Sequence, residues 1–176
     1  GNWKFDGDAK GNYQENEYND EDQGIGLKTT PYSYALDGLF VGDMPQTAYV
    51  MGATLTPIKG LRLQGILKMY DKNYSDWSPN AREYDGSDAD ADRSQVWMAP
   101  SYNRLDLHGS YKLPKIGGLD MAITGHVFNA LDALYVQDAV DNSPYNGFGD
   151  KLHLPHNAEV FLGTPRYANI GLTVNF

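Results

Sequence analysis

The sequence contains no cysteine, which removes disulfides and thiolate-based metal sites from consideration. It contains no run of about 18 apolar residues, so a membrane-spanning helix is excluded. Positive charge is scarce: Lys and Arg number 14 against 23 Asp and Glu, a net charge of -9. Nucleic acid is therefore not the expected partner, because phosphate binding needs clustered cations. No segment repeats its apolar residues at helical spacing. No Gly-x-Ser-x-Gly elbow, phosphate-cradling glycine loop or paired catalytic carboxylate occurs either, so the sequence carries no signature of an enzyme and calls for no cofactor.

What is present is tyrosine and glycine, 13 and 19 residues of the 176, in a chain long enough for one ordinary domain. The mean hydropathy is negative. That average is uninformative for a β-barrel, where only alternate strand residues meet lipid while lumen and loops stay polar. Alternation is what the sequence shows. In the closing stretch Ala168, Ile170, Leu172, Val174 and Phe176 are apolar, and Tyr167, Asn169, Gly171, Thr173 and Asn175 lie between them. Successive strand side chains point to opposite faces, so such a ribbon has one greasy and one wet side.

The same period recurs upstream. Tyr49, Met51, Ala53 and Leu55 alternate with Val50, Gly52, Thr54 and Thr56. Leu61, Leu63, Gly65, Leu67 and Met69 alternate with Arg62, Gln64, Ile66, Lys68 and Tyr70. Leu105, Leu107 and Tyr111 alternate with Arg104, Asp106, His108 and Ser110, and Met121, Ile123 and Val127 with Asp120, Ala122, Thr124 and His126. Each stretch runs roughly 10 to 13 residues, the length a tilted strand needs to cross a bilayer. Short turns at 57–60 and 114–118 alternate with long loops at about 71–100 and 130–163, and residues 10–31 read as a further polar loop. Trp3 and Phe5 read as the top of an earlier strand, and 32–41 as the return toward the wall.

These features predict an all-β fold: an antiparallel transmembrane β-barrel segment of about six strands spanning 1–176. Arg62, Gln64, Lys68, Arg104, Asp106, His108 and His126 fall on the faces expected to line the lumen. A soluble two-sheet sandwich also alternates, and in that case the leucines would pack against a second sheet. Asp88, Asp90 and Asp92 have the alternate spacing that opens a calcium loop. However, Arg93 follows where the loop needs glycine and no bidentate glutamate comes later, so a solvated acidic loop is the expectation and no metal site is assigned. His153 and His156 read as loop residues.

Several segments resemble a known family. They are Gly1-Asn2-Trp3-Lys4-Phe5, Gly38-Leu39-Phe40-Val41-Gly42-Asp43-Met44-Pro45-Gln46-Thr47, Leu55-Thr56-Pro57-Ile58-Lys59-Gly60-Leu61-Arg62-Leu63 and Leu105-Asp106-Leu107-His108-Gly109-Ser110-Tyr111. The most specific is Val127-Phe128-Asn129-Ala130-Leu131-Asp132 with Tyr135-Val136-Gln137-Asp138-Ala139, followed by Gly163-Thr164-Pro165-Arg166. In this order they resemble the C-terminal barrel region of TonB-dependent outer-membrane receptors of the Bacteroidetes type.

The resemblance implies a barrel of about 22 strands with an internal plug, in the outer membrane of a Gram-negative bacterium, active in nutrient uptake of a glycan, metal complex or similar solute. It implies outer-membrane lipid, upstream barrel strands, a plug and TonB as partners, and a lipoprotein lid by analogy. Phe176 would be the barrel-assembly signal, and Trp77 and Tyr84 would be ligand-stacking residues in an outer loop. No plug or TonB box is present, so the expectation is a mature, truncated or split piece of such a receptor. The alternatives are a receptor-derived structural subunit without transport of its own, and a small closed barrel of about eight strands.

Overall fold

The computed structural model describes residues 1–21, 23–87, 89–115, 117–145 and 152–175. The strands are β1 (Ala9–Tyr18), β2 (Gly24–Tyr34), β3 (Pro45–Leu55), β4 (Leu61–Tyr74), β5 (Met98–Ala99), β6 (Tyr102–Lys112), β7 (Asp120–Phe128), β8 (Val136–Asp141), β9 (Ala158–Leu162) and β10 (Tyr167–Asn175). Among the described residues there is no α-helix, only short 3-10 turns, and every ladder between named strands with a described register is antiparallel. The all-β, antiparallel expectation holds. The chain divides into two compact units. The first comprises Gly1–Met44, Tyr74–Trp97 and Ala139–Glu159, and the second Pro45–Asn73, Met98–Asp138 and Val160–Phe176.

The second unit is built on a sheet ordered β10-β7-β6-β4-β3, with the short β5 also pairing β4. Its registers place like faces together. Leu55, Leu63, Gly109, Gly125 and Ile170 form one cross-strand row, and Ala53, Gly65, Leu107, Val127 and Ala168 form the next. The intervening residues form the opposite face, where Thr54, Gln64, His108, His126 and Asn169 share a row. The 57–60 turn falls where expected, and the 114–118 stretch lies between β6 and β7 with Ile116 outside the described residues. Gly60 closes the first at φ 88°, a backbone region that disfavours a side chain, and its carbonyl accepts the Lys112 N–H at 2.8 Å. None of the apolar-face residues on these five strands is buried: Leu107 is 42% exposed and Leu172 63%. The terminal members of the sheet, β10 and β3, are not hydrogen-bonded to each other, so this sheet does not close on itself.

The first unit corrects the reading of residues 10–31 as a loop. They form the β1–β2 hairpin, with Ala9 opposite Tyr34 and Glu15 opposite Lys28. Most of the hairpin is exposed on both faces, so no apolar stripe marks it in the sequence. Cross-strand polar pairs hold it instead. Thr30 Oγ1 donates to Glu15 Oε1 at 2.9 Å, and Lys28 Nζ lies 3.6 Å from the same atom. The segment around Trp3 and Phe5, expected as a strand, forms no named strand but bridges Lys4 to Phe40 and exchanges backbone hydrogen bonds with Gly38, Leu39 and Val41. The core of the unit is small: Leu36, Leu39, Trp77 and Val96, with Phe5, Ala9, Tyr34 and Tyr74 packed against them. Leu36 and Leu39, expected to lead back toward the wall, form part of this core instead. The long 130–163 segment carries the β8–β9 ribbon, an addition the sequence does not signal.

Leu39, 1% exposed, is expected to cost about 2–5 kcal/mol when replaced by Ala. Leu27→Ala, on the exposed hairpin, is expected to stay within about 0.5 kcal/mol of wild type. Denaturant unfolding followed by tryptophan fluorescence measures both.

Candidate functional site

The polar face of the β10-β7-β6-β4-β3 sheet gathers the residues expected to line a lumen. Arg62 opposes Ser110, Gln64 opposes His108, Ile66 opposes Asp106, Lys68 opposes Arg104, and His108 opposes His126. The centre of this face is Asp106, 2% exposed. Lys68 Nζ donates to its Oδ2 at 2.9 Å, and Arg104 Nη2 approaches the same oxygen at 3.4 Å. Its Oδ1 accepts the backbone N–H of Asn129 at 3.0 Å. A buried carboxylate is tolerable only when charges and donors surround it, and here both oxygens are satisfied.

Asn129 extends this arrangement into the turn after β7. Its φ of 48° is left-handed, a conformation asparagine tolerates better than most residues. Its side chain then acts as a clamp. Nδ2 donates to the carbonyls of Ala133 at 2.9 Å and Thr164 at 3.1 Å, while Oδ1 accepts the Ala133 N–H at 3.1 Å. Asp132, at φ 53°, accepts the Arg166 N–H at 3.1 Å. Tyr135 stacks on Tyr102 with ring centroids 4.3 Å apart, and its hydroxyl accepts from Arg104 Nη1 at 3.3 Å. Gly163 lies against the Tyr135 ring so closely that a Cβ there would overlap it. Asn129, Asp132, Tyr135 and the Gly163-Thr164-Pro165-Arg166 segment thus form one lock that ties the end of β7 to the start of β10. Tyr70 continues the aromatic stack onto Tyr102 at 5.0 Å. Both rings stand on the polar face, whereas an interfacial aromatic band would have placed them among the leucines.

In the first unit, His153 bridges two carboxylates. Its Nδ1 lies 2.6 Å from Asp141 Oδ2 and its Nε2 2.8 Å from Asp92 Oδ2. Both ring nitrogens donate only in the imidazolium form. The Asp141 hydrogen bond is the main cause holding His153 above its ordinary value; burial opposes it and Asp92 adds to it. Burial pushes the Asp92 and Asp141 carboxyls up, but the His153 hydrogen bond, backbone N–H donors and neighbouring cations outweigh it and hold both below the ordinary range. Ser143 Oγ donates to Asp141 as well, at 2.5 Å. Arg82, fully buried, pairs with Asp92 Oδ1 at 3.0 Å and sits over the Trp77 ring at 5.4 Å. Burial lowers its pKa from the usual guanidinium value. Two cations and two anions therefore balance in one network, buried at Arg82, Asp141 and His153 and half-exposed at Asp92. A second pin lies nearby: Arg93 grips Asp8 through both oxygens at 2.6 and 2.8 Å, and Tyr84 donates to Asp8 at 2.7 Å. These bonds hold the Asp8 carboxyl far below the usual carboxylate range.

Trp77 and Tyr84, the stacking residues expected from the sequence, are both buried. The Trp77 indole N–H donates to the Phe40 carbonyl at 3.3 Å and Phe5 meets the ring edge-on at 5.4 Å, so packing occupies it. Of the acidic triplet, Asp92 serves His153 and Arg82, and the Asp90 N–H bonds to the Ser87 carbonyl in a turn. Asp88 and Phe176 lie outside the described residues. No group of three or more metal-ligating side chains occurs among the described residues. Nothing local in the sequence announces the Asp92–Asp141–His153 network, because its members come from three separate segments. Comparison with protein-family models, curated proteins and solved structures returned no match.

The network has a definite pH window. The carboxylate contribution is complete above the ordinary value of 3.8 and is lost as pH falls through the lower folded values. The His153 contribution is complete below 6.5 and is lost as pH rises through its higher folded value. Proteolytic nicking of the 79–97 and 141–157 segments is therefore expected to accelerate on both sides of that window. His153→Gln should remove the alkaline limb and shrink the acid limb, because it also takes away the imidazole hydrogen bond that depresses both carboxyls.

Proposed function

We propose that the chain is the C-terminal barrel segment of a TonB-dependent outer-membrane receptor that takes up a nutrient actively. It builds wall, lumen lining and outer loops, while a plug and upstream strands complete the transporter. The observation that carries this reading is the apolar face running across β3, β4, β6, β7 and β10, on which no described apolar residue is buried. A soluble monomer rarely leaves so large an apolar patch in water. A soluble sandwich would bury the same leucines beneath a second sheet, and Leu107, Ile123 and Leu172 are instead exposed.

The open sheet argues for a larger cylinder over a small closed barrel. Strand edges left unpaired in hydrocarbon would strand backbone groups at several kcal/mol each. β3 and β10 therefore need outside partners, which upstream strands of the receptor would supply. Further support comes from the Asn129, Asp132 and Tyr135 lock, because the residues carrying the family resemblance are the ones that brace the strand ends. Outer-membrane lipid, the plug and TonB are the partners in this reading, with a lipoprotein lid over the outer loops.

The two faces of β10 provide the test. Leu172→Lys is expected to cost about 2–4 kcal/mol in lipid vesicles, whereas Thr173→Lys, on the polar face, costs little. Equal effects of the two, or a wild-type chain that is monodisperse in buffer without detergent, would overturn the proposal. Urea unfolding from vesicles, with a gene segment encoding the upstream strands co-expressed, measures the difference.

A further inference from the structure

His108 on β6 and His126 on β7 stand directly opposite one another, with their Nδ1 atoms 2.8 Å apart. The rings are inclined at 60°, with centroids 5.0 Å apart. Phe128 meets His108 edge-on at 5.4 Å and stacks on His126 at 6.1 Å, so one ring braces both imidazoles. The pair opens onto a cavity of about 650 Å³, lined also by Arg62, Gln64, Thr124 and Asn169. Gln64 stands opposite His108 and Asn169 opposite His126, which flanks the two imidazoles with neutral amides. Neither ring is held by a carboxylate in the way His153 is.

The spacing has a chemical meaning. The observed 2.8 Å is a hydrogen bond between the rings, and it places the two imidazoles close enough for both to reach one ion once they turn. Between the two rings, one Nδ1–H donates to the other Nδ1. Turning each ring about its Cβ–Cγ bond, with that proton moved to Nε2, points two lone pairs at one ion.

We propose that His108 and His126 form a two-imidazole chelate for Cu(II), the ion that stands highest in the affinity order for such nitrogen sites. The ion's remaining positions face the cavity and take water or an outside donor. Arg62 on the cavity wall disfavours a bare dication and favours one that keeps an anionic donor in an open position. The site requires only the β6–β7 pairing, so it stands or falls separately from the receptor reading.

The experiment titrates the full chain in detergent micelles with Cu(II) alone and follows electron paramagnetic resonance. The expected result is one tightly bound ion with hyperfine structure from two equivalent nitrogens. His108→Gln and His126→Gln should each weaken binding by at least roughly tenfold, the scale that even outer-shell changes reach, and leave one nitrogen in the spectrum. His156→Gln, at an exposed turn, should leave both unchanged. A footprint on the unsubstituted chain guards against variants that do not fold. Cu(II) should slow acylation of His108 and His126 by diethyl pyrocarbonate and leave His156 as reactive as before. Wild-type affinity in both site variants, or equal acylation with and without Cu(II), would overturn the proposal.

Discussion

The register of five antiparallel strands is the constraint on which the sheet unit depends. Side chains alternate strictly along a strand, so a slip of one residue in any ladder would carry a strand's leucines to the polar side. The registers from β3 through β10 instead keep Leu63, Leu107 and Ile123 with their apolar neighbours and Gln64, His108 and His126 with their polar ones. Hydrogen-bond geometry thereby turns five modest sequence patterns into two continuous surfaces of opposite character. One surface is apolar and unburied, and the other carries charged and polar side chains.

That polar surface is held in place by satisfied side chains more than by apolar packing. Asp106 collects Lys68, Arg104 and the Asn129 N–H, and Asn129 in turn ties the turn after β7 to Ala133 and Thr164. Such a network is costly to break at one point, because each member leaves another buried group without its partner. Tyr135 connects it to the aromatic stack through Tyr102, and Gly163 gives the Tyr135 ring its room.

The other unit follows a different economy of forces. Its apolar core has few members, and much of its order comes from the Arg82–Asp92–His153–Asp141 network and the Arg93–Asp8–Tyr84 pin. Segments that carry outer loops in the proposed receptor would gain a defined shape in water by these means, since electrostatic pairing between buried groups needs no large apolar content. The cost is sensitivity to protonation, which a leucine core would not have.

The sequence by itself determined the strands whose two faces differ in polarity. A period of two in Tyr49–Leu55, Leu61–Tyr70, Arg104–Lys112, Asp120–Phe128 and Tyr167–Asn175 is visible because one side of each ribbon is mainly apolar and the other mainly polar. It also placed His108 and His126 on one face. It was silent on β1, β2, β8 and β9, whose polar or mixed faces impose no period, and it took Trp77 and Tyr84 for exposed loop residues because burial by distant segments leaves no local mark. Only the tertiary structure decided that Asp92, Asp141 and His153 meet, and that the two imidazoles stand within hydrogen-bond distance. Those are distances between segments far apart in the chain, and they are set by turn geometry and register rather than by neighbouring residues.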